Sequence, residues 1–209
     1  IVSLKNRLLD SDVDNWIRMV STNRLTGHSA GFFSGYTLPP NQAASQKSQR
    51  LINARLELVP PYKNTKEIII KKSKSLLRNI NSELRKDLKT ISSTSVFSSL
   101  DSRKTTHIQN NCINLTVTSP PFLNIVKYAA DNWLRCWFND IDASEIESRI
   151  SLCRTVETWS EIMGSVFDEL YRITIPGGWV AFEVGEVNNG KIKLDEHVVP
   201  LGLESGFVC

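Results

Sequence analysis

No stretch of the chain approaches the 18 consecutive apolar residues that a membrane-spanning helix needs, so no span is expected. Cys-x-x-Cys spacing is also missing. Cys112, Cys136, Cys153 and Cys209 stand apart and the histidines do not cluster, which argues against structural zinc and for a reduced intracellular protein. No charged-apolar-small pattern opens the chain as a secretion signal would. It begins at Ile1 rather than Met, and an internal fragment of a longer protein is expected. A glycine-rich phosphate turn is lacking too. Gly27, Gly31 and Gly35 recur every four residues, but no strand precedes them. What is present is 209 residues with a 41% hydrophobic fraction, enough for one large domain or two small ones.

The net charge of +3 is unevenly divided. Residues 1–110 carry 18 Lys and Arg against 8 Asp and Glu, and residues 111–209 carry 7 against 14. A basic segment joined to an acidic one fits a polyanion-binding arm; ordinary solvated helix surface is the alternative.

Residues 2–22 read as helix in two pieces broken near Asp10-Ser11-Asp12, with Ser11 or Asp12 as cap and Trp16, Ile17, Met19 and Val20 as the apolar face. A loop of glycines, prolines and small polar residues follows over 22–42, long enough to suggest function. Its Phe32, Phe33 and Tyr36 argue against disorder, and Asn23, Arg24 and His28 are residue types that meet phosphates and base edges. For His28 the alternative is a hydrogen-bonded loop histidine. Residues 43–59 and 64–90 give two further helical patterns. Leu51, Ile52, Leu56, Ile69, Leu76, Leu77, Leu84 and Leu88 are among their expected buried positions, and Lys71, Lys72 and Lys74 are candidates to track phosphate. Residues 91–110, rich in serine, read as a linker or inserted loop.

The stretch Asn114-Leu115-Thr116-Val117-Thr118-Ser119-Pro120-Pro121-Phe122 is the centre of the chain. Residues 113–118 form a short β-branched run that reads as a buried strand. Pro120 and Pro121 cannot extend it, because neither has an N–H and both fix φ near −65°. The chain must turn at the strand's carboxyl end, where open α/β sheets bind ligands. A hydroxyl at Ser119, stiff carbonyls and a flat ring at Phe122 suit a planar ring bearing an exocyclic amine. The plainer alternative is a proline-stiffened turn with an N-cap serine. An amphipathic pattern through Ile125, Val126, Ala129, Trp133 and Trp137 is expected to begin at once. Another runs from Val156 to Ile173 and stops at Pro176-Gly177-Gly178, after which Trp179–Val184 reads as a strand and Val198–Cys209 as the start of a helix–strand unit.

Thr118-Ser119-Pro120-Pro121-Phe122 resembles the catalytic motif of amino-methylating DNA methyltransferases, whose serine form is commoner in the N4-cytosine branch. Thr22–Ser29 and Tyr36–Gln42 resemble runs in a group of bacterial DNA modification methylases. The resemblance implies an α/β fold, part of a Rossmann-like methyltransferase domain over 111–209, preceded by a basic, mostly helical region over 1–110 that serves as a DNA-recognition insertion. It implies methyl transfer from S-adenosylmethionine to N4 of cytosine, or less readily N6 of adenine, in double-stranded DNA with the target base flipped. It also implies a cytoplasmic setting in a bacterium or archaeon and a cognate restriction enzyme as partner. Ser119 Oγ and the Pro120 carbonyl would accept from the amine, Pro121 would stiffen the turn, and Phe122 would stack on the base. Thr118 and Ser119 would border the cofactor. An RNA or protein-amide methyltransferase and a non-catalytic nucleic-acid-binding module are the rival readings.

Such an enzyme needs a glycine-rich turn for the cofactor. Phe182-Glu183-Val184-Gly185-Glu186 is the nearest candidate, and it lacks the second glycine that lets backbone approach the ligand. The main cofactor loop is expected before Ile1, with this chain holding the amine side of the site and possessing little activity alone.

Overall fold

A computed structural model describes residues 1–27, 29–34, 44–59, 61–121, 123, 127–150, 153–187 and 189–209. Helices and a few strands are mixed, so the chain is α/β. Its contacts separate it into two compact units: residues 1–95 with 127–148, and residues 96–126 with 149–209. The boundary drawn at 110 in the sequence thus falls inside the second unit. Divided by contacts, the first unit carries a net charge of +6 and the second −3.

The first unit is helical: α1 (Val2–Lys5), α2 (Asp12–Thr22), α3 (Gln46–Arg55), α4 (Thr65–Leu76), α5 (Ser82–Thr94), α6 (Tyr128–Phe138) and most of α7 (Ala143–Arg149). Ser11 caps α2 by accepting from the Asp14 N–H at 3.1 Å, and Asp12 and Asp14 sit in the first turn, where the helix dipole favours negative charge. Asn64 caps α4 by accepting from the Glu67 N–H at 3.3 Å, and its side-chain amide donates to Glu67 Oε1 at 2.7 Å. The single helix expected over 64–90 is two. Leu77 ends α4, and Asn81 opens α5 by accepting from the Leu84 N–H at 2.8 Å. Asparagine competes with helical bonding and favours caps, which accounts for the break. α5 then runs to Thr94, into the expected linker.

Specific cross-links join the elements of this unit. Trp16 Nε1 donates to Ser73 Oγ at 2.9 Å, joining α2 to α4, and Trp133 Nε1 donates to the Ala44 carbonyl at 3.0 Å. Lys5 pairs with Asp140 and lies over the Trp137 ring. The buried side chains are Val20, Ser21, Leu25, Thr26, Ile69 and Phe138. The expectation of broad buried faces on α3, α4 and α5 therefore needs correcting. Leu51, Leu56, Leu76, Leu77, Leu84 and Leu88 are all exposed, and of the expected set Ile69 is the one that is buried. Helical spacing fixes which residues share a face, not whether another element covers it.

The second unit is built on β1 (Ile113–Thr118), a strand at the expected residues but not the buried one expected, since Asn114, Leu115 and Val117 are exposed and the rest half-buried. It pairs in parallel with β2 (Thr174–Phe182), matching Leu115 with Trp179, Val117 with Ala181 and Thr118 with Phe182. α8 (Val156–Ile173) leads into β2, completing a β-α-β unit. Trp159, Met163, Val166, Phe167, Leu170 and Ile173 bury one stripe of α8, as their spacing predicts. α9 (Leu194–Glu204) adds Leu194 and Val198 to the same core, and Phe167 packs on Phe182 with ring centroids 4.8 Å apart. Each such side chain contributes about 1.5–3 kcal/mol by leaving water. The opposite face of the pair is open: Leu115, Val117 and Trp179 are exposed.

Two further expectations change. Pro176-Gly177-Gly178 does not separate α8 from its strand but lies within β2, at the register shift between Ile113 and Leu115. Gly177 has φ +79°, and a Cβ on Gly178 would lie 2.7 Å from Thr174 Cγ2, so the irregularity requires both glycines. After β2 comes a small hairpin of β3 (Glu186–Val187) and β4 (Ile192–Lys193), and residues 205–209 form no strand. Among the described residues, no helix is long and apolar enough to cross a membrane.

Candidate active site

β1 delivers the motif to its carboxyl end. Thr118, half-buried, is the last strand residue, and its carbonyl accepts from the Glu183 N–H at 2.8 Å, which fastens the end of β1 to the segment after β2. Ser119 then emerges exposed, with Pro120 and Pro121 half-buried behind it. The Pro121 carbonyl accepts from Trp159 Nε1 at 2.9 Å, and Trp159 is only 1% exposed. A buried indole N–H needs a partner, and here the partner is the motif's own backbone. The turn is thus pinned at Thr118 and at Pro121. Between these pins, the Ser119 hydroxyl and Pro120 carbonyl engage no other group among the described residues.

That arrangement presents two adjacent, pre-positioned acceptors at a strand's carboxyl end. The Pro120 carbonyl is held by the pinned backbone, and the Ser119 hydroxyl turns about its own side chain beside it. An N–H can thus be received with little backbone reorganisation, the geometry by which an amine is oriented and polarised. Phe122 lies outside the described residues, as do Asn124, Ile125 and Val126. The amphipathic helix expected directly after the motif begins at Tyr128. Leu123, between, is buried in the core of the second unit.

A cavity of about 460 Å³ adjoins the motif. Pro121, Ile162, Met163 and Val166 give it an apolar floor, and Arg103 and Arg149 stand among its lining residues. Arg103 is engaged with Asp101 through two guanidinium nitrogens, and this hydrogen bonding holds the Asp101 carboxyl below its ordinary range. Ser119 does not line this cavity.

The cofactor expectation fares differently. Phe182-Glu183-Val184-Gly185-Glu186 leaves β2 and enters the β3–β4 hairpin instead of opening a helix, so it offers no helix N-terminus to an anionic or ribosyl group. That segment therefore makes no helix-terminal cradle of the kind a cofactor loop provides, and Thr118 and Ser119 lie at the carboxyl end of β1. No group of three His, Cys, Asp or Glu among the described residues is placed to hold a metal.

The residues proposed to meet nucleic acid all belong to the first unit, and the motif belongs to the second. Asn23 is exposed at the end of α2 and donates to the Met19 carbonyl at 3.0 Å. Arg24 is half-buried, its guanidinium 4.3 Å from the Phe32 ring centre. Lys71 and Lys74 are exposed on α4 and Lys72 is half-buried. His28 lies outside the described residues, as does 35–43 of the loop.

Several participants escape sequence reasoning. Trp159 reads as one more apolar residue on α8, and only its fold position makes it the anchor of the Pro121 carbonyl. Glu169 and Arg172, three apart on the same helix, clasp the segment that leads into β1. Glu169 Oε1 accepts from the Thr105 N–H at 2.6 Å, and Arg172 donates to the Thr105 and Ile108 carbonyls at 3.2 and 3.1 Å. Their i, i+3 spacing is a visible signal of pairing, but the long-range partners are not visible. Compared with protein-family models, with curated proteins and with solved structures, the chain matches none.

Proposed function

We propose that this chain carries the amine-recognising part of a site-specific DNA methyltransferase. The reaction is transfer of a methyl group from S-adenosylmethionine to an exocyclic base nitrogen, N4 of cytosine ahead of N6 of adenine. The observation that carries the reading is the pair of acceptors, Ser119 Oγ and the Pro120 carbonyl, that engage no other group among the described residues, at the carboxyl end of parallel strand β1. The sequence resemblance around them supplies the identity of the substrate. An exocyclic aromatic amine is a poor nucleophile because its lone pair is delocalised into the ring. Two acceptors aimed at its hydrogens draw the nitrogen toward tetrahedral geometry and hold the lone pair in line for attack.

The β1–α8–β2 unit is the building block of doubly wound sheets, and its motif sits at the strand end where such sheets bind ligands. We read the second unit as part of a Rossmann-like methyltransferase domain on that basis. The +6 charge of the first unit favours duplex DNA as its partner. A cytoplasmic bacterial or archaeal setting, with a cognate restriction enzyme, belongs to the same proposal.

The test incubates the protein within its complete methyltransferase with methyl-labelled S-adenosylmethionine and, separately, DNA, RNA and protein. Label enters DNA, and Ser119→Ala abolishes that incorporation while duplex binding persists. Unchanged turnover in the variant removes Ser119 from the mechanism. Label entering RNA or protein alone replaces the DNA assignment with one of those substrates. Duplex binding with no label in any arm leaves a binding module whose serine–proline turn is structural.

A further inference from the structure

The loop that follows α2 is more tightly built than its glycine-rich composition suggests. Leu25, Thr26 and Gly27 are buried, so the start of the loop belongs to the core of the first unit. Phe32 folds back over Gly27, where a Cβ would lie 2.5 Å from the ring, and only glycine permits that approach. Arg24 lies over the Phe32 ring. Lys63 donates to the carbonyls of Phe32 at 2.8 Å and Ser34 at 2.9 Å, holding the far side of the loop in place.

Arg24 thus lies on the Phe32 ring and Lys63 on the Phe32 carbonyl, and neither has an acidic partner among the described residues. The ion pairs among the described residues are Lys5–Asp140, Arg103–Asp101, Arg172–Glu169 and Lys193–Glu196. Arg24 Nε is buried without a hydrogen-bond partner, and so is the hydroxyl of Ser21, a fully buried residue of the same turn. Buried guanidinium nitrogens are ordinarily paired, and an uncompensated one marks a place where a partner is wanted. Lys63 directs two of its three donors to the loop and keeps one.

We propose that Arg24 and Lys63, organised on Phe32, form a binding site for a phosphate oxyanion, the phosphodiester of nucleic acid. A neutral base edge would satisfy hydrogen bonds but leave two charges uncompensated, whereas a phosphodiester brings the negative charge that both cations lack. Arg24 supplies the planar fork. Lys63 is a contact through its remaining donor and a positioning residue through the other two. The oxyanion assignment stands on this geometry alone; the identity of the phosphate's carrier rests on the nucleic-acid reading above.

The experiment follows the Arg24 Nε–H resonance of the full chain during titration with inorganic phosphate and, separately, a short DNA duplex. Both move the resonance. Arg24→Gln weakens duplex binding roughly tenfold, as loss of a charge-assisted bond does. It also lowers the slope of log affinity against log salt by about one, the signature of one lost phosphate contact. Arg24→Lys, which keeps the charge without the fork, recovers the salt slope but only part of the affinity. A resonance unmoved by phosphate and by duplex overturns the site, and so does unchanged duplex affinity and salt slope in Arg24→Gln. A response to inorganic phosphate without duplex binding upholds the oxyanion site and removes DNA as its carrier, independently of Ser119.

Discussion

Trp159 directs its single donor to the Pro121 carbonyl while its ring stays in the core. That one bond connects the packing of α8 to the geometry of the motif. Trp159→Phe keeps most of the buried ring and removes the N–H. Urea denaturation is expected to show a loss of about 1–2 kcal/mol, the cost of a buried hydrogen bond with its acceptor left behind. Under the proposed function, methyl transfer should fall at the same time, because the freed turn no longer holds Ser119 and Pro120 in register. A variant that loses stability but retains full turnover would show that the indole supports the fold without positioning the acceptors.

At the scale of elements, α8 does two jobs with two faces. Its apolar stripe fills the core, and its Glu169–Arg172 pair grips the segment entering β1. The Arg172 fork, and then Thr105, hold the Glu169 carboxyl down from 4.5 to about 2. Depression below the unfolded value makes its stabilising contribution complete above about pH 4.5. That contribution drains away as pH falls from 4.5 towards 2, where the folded chain too is protonated. Thermal unfolding of wild type should therefore weaken across that window. Glu169→Gln should be less stable near neutral pH and show a shallower acid loss. Parallel curves for the two proteins would mean the clasp contributes nothing that protonation can remove.

For the whole molecule, burial of cysteine offers a direct readout. Cys112 and Cys209 are exposed, Cys136 is half-buried, and Cys153 belongs to the core of the second unit, where desolvation raises its thiol above the ordinary range. A thiol reagent should label Cys112 and Cys209 quickly and Cys153 only as fast as the second unit opens. Rapid modification of Cys153 in the native protein would mean that this core is not closed as described.

The strand at 113–118, the helix at 156–173 and the break before Asp12 were legible because their signals are local: β-branched residues, apolar spacing and a cap. Ser119, Pro120 and Pro121 announce a turn at a strand end for the same reason, since a proline's missing donor acts wherever it is placed. Chain order alone does not reveal what covers a helix. Leu84 and Leu88 carry the same spacing as Met163 and Phe167, yet the first pair is exposed and the second buried. Nor does it reveal that Gly177 and Gly178 lie inside a strand, that Pro121 meets Trp159, or that Arg24 contacts the Phe32 ring and Lys63 its carbonyl. Periodicity and backbone chemistry are properties of neighbouring residues, and they set the elements and the turn. Burial, partnership and uncompensated charge depend on atoms far apart along the chain, and only the tertiary structure brings those together.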